Sequence, residues 1–144
     1  MLQELSESLE DYLEAIYHLQ KEFKVARVKD IASRLNVKMP SVTNAVKVLK
    51  SRELIDYEKN SFITLTKEGE KLAKKITHKH EVCEEFFSEM LNAEPEESRI
   101  LACAVEHYIS GATAAKIEDL TGLIRDYCEK DPAFFSRMSA IRNG

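Results

Sequence analysis

The 144-residue chain contains no tryptophan, three cysteines, three prolines and four glycines. So few chain breakers exclude collagen-like, low-complexity and loop-dominated architectures. The cysteines, Cys83, Cys103 and Cys128, are too few and odd in number for a disulfide framework, which points to a reducing compartment, the cytoplasm. No apolar run approaches the roughly 18 to 20 residues that a bilayer span requires. The opening segment MLQELSESLEDYLEAI has acids where a signal peptide has bases. Neither secretion nor a membrane partner is therefore expected. What is present is 44% apolar and 32% charged residues, enough apolar material for one or two small domains with a core. No period-two alternation dominates, so a mainly α fold is expected.

The net charge of -4 speaks against nucleic acid only until its distribution is read. Residues 1–80 hold 15 Lys and Arg against 12 Asp and Glu, whereas residues 81–144 hold 6 against 13. Between Lys24 and Arg52 eight bases face one acid, Asp30. A concentration of that kind is the electrostatic footprint of a phosphate-binding surface.

Leu5–Lys21 reads as a helix from Leu9, Tyr12, Leu13, Ile16, Tyr17 and Leu19, with Ser6 or Ser8 as its cap. Val28–Leu35 forms a short helix that Asn36 ends, because Asn tolerates a left-handed backbone. Pro40 suits a first helical position, and Val42, Ala45, Val46 and Leu49 then repeat with helical period over Ser41–Lys50. Two short helices joined by a tight turn make a helix-turn-helix. Leu54–Tyr57 and Phe62–Leu65 flank a polar stretch and read as a two-stranded hairpin, a small wing. Thr66 caps a long helix running from Lys67 to about Leu91. Glu94-Pro95-Glu96-Glu97 starts a further helix, and Ala112–Tyr127 and Pro132–Arg142 continue the helical pattern. The expected architecture is mainly α, an N-terminal winged helix-turn-helix over 1–75 followed by a second, helical domain over 76–144.

A winged helix places its second helix in the DNA major groove and its wing on the backbone or minor groove. Since Val42, Val46 and Leu49 face inward, Pro40, Ser41, Thr43, Asn44 and Lys47 should face out. Asn44 suits an adenine edge, and Ser41, Thr43 and Lys47 suit phosphates. Arg27, Lys38 and the wing residue Lys59 complete the expected DNA-binding set. A basic run alone is more often a solvated surface, but here it coincides with helix, turn, Pro-Ser helix and hairpin in order.

Cys103, Glu106 and His107 in "ACAVEHY" are spaced i, i+3, i+4, so a thiol, a carboxylate and an imidazole share one helical face. His80 and Glu84 lie i, i+4 on the long helix, and Asp11 and Glu14 lie i, i+3 on the first. Each group alone has a bland reading: a buried small thiol, the end of the basic KKITHKH run, an acidic face. Together they form three helical clusters of metal-ligand residue types.

The order "EDYLEAIY", "VKDIASRLNVKMPSVTNAVKVL", "LTKEGEKLAKKITHKHEVCEEFF" and "CAVEHYIS" resembles the diphtheria toxin repressor and manganese transport regulator family. The resemblance implies a metal-activated, homodimeric repressor that binds palindromic operator DNA and controls metal-homeostasis genes, with 76–144 as its helical metal-binding and dimerisation domain. It implies Asp11, Glu14, His80, Glu84, Cys103, Glu106 and His107 as metal ligands. The pattern is a hybrid, for Asp11 follows manganese-type members and Cys103 follows iron-type ones. Arg99 stands where iron-type members carry a His of an ancillary site, and the chain stops at Gly144 as the shorter manganese-type layout does. Mn2+ or Fe2+ is expected, with Zn2+ third. Phe86, Phe87, Leu91, Ile100, Leu101 and Val105 are candidates for a dimer core.

A metal bound by first-helix carboxylates and by the Cys103 cluster would fix the orientation of the reading domain. Two other readings exist. A metal-independent dimeric regulator could respond to a small ligand or to oxidation of Cys103. A metallohydrolase would need an open coordination position and a general base, and no HExxH motif, nucleophile elbow or phosphate loop appears in the sequence, so an enzyme is not expected.

Overall fold

The computed structural model describes residues 4–58 and 61–144, which fall into two compact units, Met1–Thr77 and His78–Gly144. In the first, α1 (Glu7–Phe23) starts where Ser6 Oγ accepts from Leu9 N at 3.4 Å and stops at Lys24, whose φ of 67° breaks the helix. Helix α1 is shifted two residues along the chain from the expected bounds, because the cap sits at Ser6 and the left-handed residue at Lys24. It buries Tyr12, Leu13, Ile16, Tyr17 and Leu19. Helix α2 (Val28–Leu35) ends at Asn36 with φ 53° and ψ 46°, the backbone that Asn adopts at modest cost.

Helix α3 (Met39–Ser51) begins one residue earlier than expected, which makes Pro40 its second residue rather than its first. Proline is tolerated at either position because the first amides of a helix lack intrahelical acceptors. Val42, Val46 and Leu49 have no exposed surface and pack with Leu13, Ile16 and Ile31, so α1, α2 and α3 share one core. Truncating Leu13, Ile16, Ile31 or Leu49 to Ala would cost about 2 to 5 kcal/mol.

Strands β1 (Ile55–Tyr57) and β2 (Ile63–Leu65) pair antiparallel, with Ile55 opposite Leu65, Asp56 opposite Thr64 and Tyr57 opposite Ile63. On the far side of β2, Ile63 also bridges Ala26 through reciprocal bonds of 3.0 and 2.8 Å. The wing is anchored twice more: Lys50 Nζ of α3 donates to Tyr57 O at 2.5 Å, and Gln20 Oε1 of α1 accepts from Leu65 N at 2.8 Å. Thr66 Oγ1 accepts from Gly69 N at 3.0 Å and caps α4 (Lys67–Glu85). Gly69 is required there by contact, since a Cβ would lie 1.8 Å from Leu54 O.

The expected uniform helix to about Leu91 is interrupted. Beyond Glu85 the chain widens into a π-helical stretch, Phe86–Met90. The wide turn coincides with a cross-element clamp, in which Arg125 bonds Glu85 and, at 2.8 Å, Glu89. That ties the π stretch to α6 (Gly111–Lys130), and bonds of this tertiary kind leave no trace in local periodicity. Helix α5 (Pro95–Glu106) precedes α6, and α7 (Pro132–Asn143) follows it. Ser110 caps α6 through Thr113 N at 3.1 Å, and Asp131 caps α7 through Ala133 N at 2.9 Å. The second unit buries little: Val82, Cys83, Met90, Ala102 and Ala114 are covered, while Leu120, Leu123, Tyr127 and Phe135 are each half exposed or more. Of the dimer-core candidates, Leu91 and Ile100 are exposed and Phe86, Phe87, Leu101 and Val105 half-buried. No helix among the described residues is long and apolar enough to cross a membrane.

Candidate functional site

The first unit presents an exposed, mainly polar face on α3. Lys38, Pro40, Ser41, Asn44 and Lys47 are exposed, as is Arg27 at the N-cap of α2. Thr43 differs: it is half-buried, and its Oγ1 donates back to Met39 O at 3.1 Å, a local bond typical of helical threonines. Lys59 lies outside the described residues. Met39 and Val48 on the same helix are also exposed, at 52% and 39%. An exposed helix carrying amide, hydroxyl and ammonium groups on one side and core aliphatics on the other can enter a groove without exposing its own packing.

In the second unit the His80 imidazole is held between carboxylates. Its Nδ1 lies 2.5 Å from Glu106 Oε2, its Nε2 lies 3.1 Å from Glu84 Oε2, and Cys103 Sγ is 3.8 Å from Nδ1. His107 Nε2 is 3.6 Å from the other Glu106 oxygen. Glu106 and Cys103 of α5 thus meet the ring at Nδ1, and Glu84 of α4 meets it at Nε2. Glu106 is 1% exposed, so its carboxylate has lost nearly all hydration and requires positive charge beside it. The donors are oxygen, imidazole nitrogen and thiol sulfur, a set that suits a first-row divalent ion. These side chains fit such an ion by their chemistry and by the cation demand of Glu106.

Asp11 and Glu14 stand half-buried on α1 in the first unit, where Glu14 Oε1 meets His18 Nε2 at 3.5 Å. Arg99 is turned to its own helix, donating to Glu96 at 2.7 and 3.2 Å, and that carboxylate bond raises its already high pKa. Cys83 is 2% exposed, and burial, reinforced by the charge of Glu106, pushes its thiol pKa up from 9.0. It is a packing residue. Cys128 is a free, half-buried thiol.

Several site-supporting residues carry no local sequence signal. Gln20, Lys50 and Arg125 act on partners 45, 7 and 36 residues away, and only their polarity in helical context hinted at a tertiary bond. Phe62 is another: it is an exposed aromatic that the hairpin pattern alone assigns to a strand end.

A winged helix with an exposed reading face, continuous with a helical unit that gathers a histidine, carboxylates and a thiol, defines a metal-responsive DNA-binding regulator. The comparisons agree. Residues 4–62 match the model described as iron dependent repressor, N-terminal DNA binding domain, and residues 66–134 match iron dependent repressor, metal binding and dimerisation domain. The chain belongs to the iron dependent repressor family, whose members are transcription regulators and not enzymes. It is 36% identical over 135 residues to the HTH-type transcriptional regulator MntR of Bacillus subtilis, covering 94% of this chain and 92% of that one. To the MntR of Geobacillus thermodenitrificans it is 35% identical, covering 94% and 91%. Among solved structures, the manganese regulator SloR matches with a TM-score of 0.71 and 31% identity, over 79% of this chain and 53% of that one. The IdeR of T. acidophilum matches with 0.72 and 26%, over 83% and 55%. The chain spans about half the length of those two solved chains.

Proposed function

We propose that the protein is a metal-activated repressor. It binds palindromic operator DNA as a homodimer in the cytoplasm when Mn2+ or Fe2+ is bound, and it controls metal-homeostasis genes. The observation that carries this reading is the buried Glu106 carboxylate 2.5 Å from His80 Nδ1, with Cys103 Sγ on the same nitrogen. Glu106, Cys103, His107 and His80 would hold the ion, with Asp11 and Glu14 contributed by α1. Glu84 lies at Nε2 and keeps the ring oriented, the role that a carboxylate commonly plays behind a ligating histidine. Carboxylates favour Mn2+, while imidazole and thiolate favour Fe2+ and Zn2+, and raw affinity follows the Irving–Williams order.

The bound cation supplies positive charge that neutralises the clustered carboxylates. Asp11 and Glu14 share their helix with Tyr12, Leu13 and Ile16, which pack in one core with Val42, Val46 and Leu49 of α3. Ligation through α1 therefore restricts α3 as well. A metal stabilises the DNA-competent state by its differential affinity for it, and a hundredfold preference corresponds to about 2.7 kcal/mol. In a dimer the two α3 helices would read half-sites about one helical turn, roughly 34 Å, apart. Asn44, Ser41, Lys47 and Pro40 would face the bases and phosphates, with Arg27, Lys38 and Thr43 on the flanks.

The test is duplex binding titrated with Mn2+, Fe2+ and Zn2+ under anaerobic conditions, with chelator and with Glu106→Ala/His107→Ala. Metal should tighten binding at least tenfold, and the double variant should abolish the gain. Affinity indifferent to metal, chelator and variant would instead leave a regulator that senses another ligand or the Cys103 thiol.

A further inference from the structure

The bridge between Ala26 and Ile63 buries both of those side chains completely. Side chains alternate across an extended segment, so the next pair along that antiparallel register, Arg27 and Phe62, projects together to the opposite, solvent side. Arg27 is exposed and Phe62 is 52% exposed, with the guanidinium carbon 5.1 Å from the ring centroid. The Arg27 main chain is itself fixed: it is the N-cap of α2, and its carbonyl accepts from Asp30 N and Ile31 N, both at 3.0 Å. Among the described residues Arg27 makes no ion pair. A guanidinium stacks through its face and donates from its edge, so a ring beneath it leaves the N–H fork available to a bidentate acceptor. At the start of α2, the first helix of a helix-turn-helix, and stacked on a ring next to the wing strand β2, the acceptor chemistry that fits is a backbone phosphate.

We infer that Phe62 is a positioning residue for DNA binding, which stacks on Arg27 and holds its guanidinium ready for one phosphate of the duplex. The inference rests on the DNA-binding reading above. Phe62 acts through Arg27 and reads no base, so its contribution is independent of operator sequence and disappears when Arg27 is removed.

A double-mutant cycle tests this. The probe is a duplex selected from random sequence by the Mn2+-loaded wild-type protein, and affinity is measured against salt for wild type, Phe62→Leu, Arg27→Ala and the double variant. Phe62→Leu should weaken binding about two- to fivefold in the wild-type background and not at all in the Arg27→Ala background. Phe62→Tyr should retain wild-type affinity. Arg27→Ala should lower the salt slope by about one. Thermal unfolding and Mn2+ affinity should be the same in all four proteins, which separates positioning from a folding defect. Equal losses from Phe62→Leu in both backgrounds, or no loss in either, would overturn the inference while leaving DNA binding intact. Failure of the wild type to select any duplex would remove the DNA-binding reading and this inference together.

Discussion

Glu106→Gln isolates the charge at the proposed metal centre while preserving side-chain size. Glu106 is 1% exposed and 2.5 Å from His80 Nδ1, so the substitution removes a buried anion and leaves an amide able to accept from the same nitrogen. Two effects oppose each other in the metal-free protein. A charge-assisted bond of about 1.5 to 3 kcal/mol is weakened, and the desolvation cost of a buried carboxylate is relieved. The net change should stay within about 2 kcal/mol. The metal-bound protein behaves differently, because an ion bound only to the folded state at a hundred times its Kd stabilises by about 2.7 kcal/mol. For a chain of this size about 1 kcal/mol corresponds to roughly 2 to 4 °C, so Mn2+ should raise the wild-type Tm by about 5 to 11 °C. Differential scanning calorimetry with and without Mn2+ should show that rise in the wild type and almost none in Glu106→Gln. An equal rise in both proteins would place the ion elsewhere, and no rise in the wild type would refute the metal centre.

Four other predictions follow from individual residues. Lys47→Ala, exposed on α3, should weaken binding to all duplexes alike and lower the salt slope by about one, measured by fluorescence anisotropy from low to high salt. Gly69→Ala would bring a Cβ within 1.8 Å of Leu54 O, a backbone atom that cannot step aside, so urea unfolding should report a loss of about 1 to 3 kcal/mol or more. Cys83, buried and with its pKa raised above 9.0, should resist a thiol reagent at neutral pH while exposed Cys103 reacts and Mn2+ slows that reaction. In the unfolded chain the Cys83 thiol ionises near its ordinary pKa while the folded chain holds it protonated. Its contribution to stability is therefore complete below that pKa and lost as pH rises through the higher folded value, a decline readable in urea melts across the alkaline range.

Much of this molecule was legible before any tertiary contact was known. The 3.6-residue spacing of Leu13, Ile16, Val42, Val46 and Leu49 determined which helix faces are buried, because a helix has only one stripe to offer a core. Asn36 marked the end of α2, and Thr66 marked the cap of α4, through their own side-chain chemistry. The i, i+3, i+4 spacing of Cys103, Glu106 and His107 put three donors on one face by geometry alone. What the tertiary structure decided were the distances between elements. His80 meets Glu106 26 residues away and Cys103 23 residues away, Arg125 clamps the π-helical turn, and the Ala26–Ile63 bridge sets Phe62 under Arg27. Local periodicity determines which way a residue points from its own helix or strand. It carries no information about which other element lies opposite, since that depends on how the buried faces pack together.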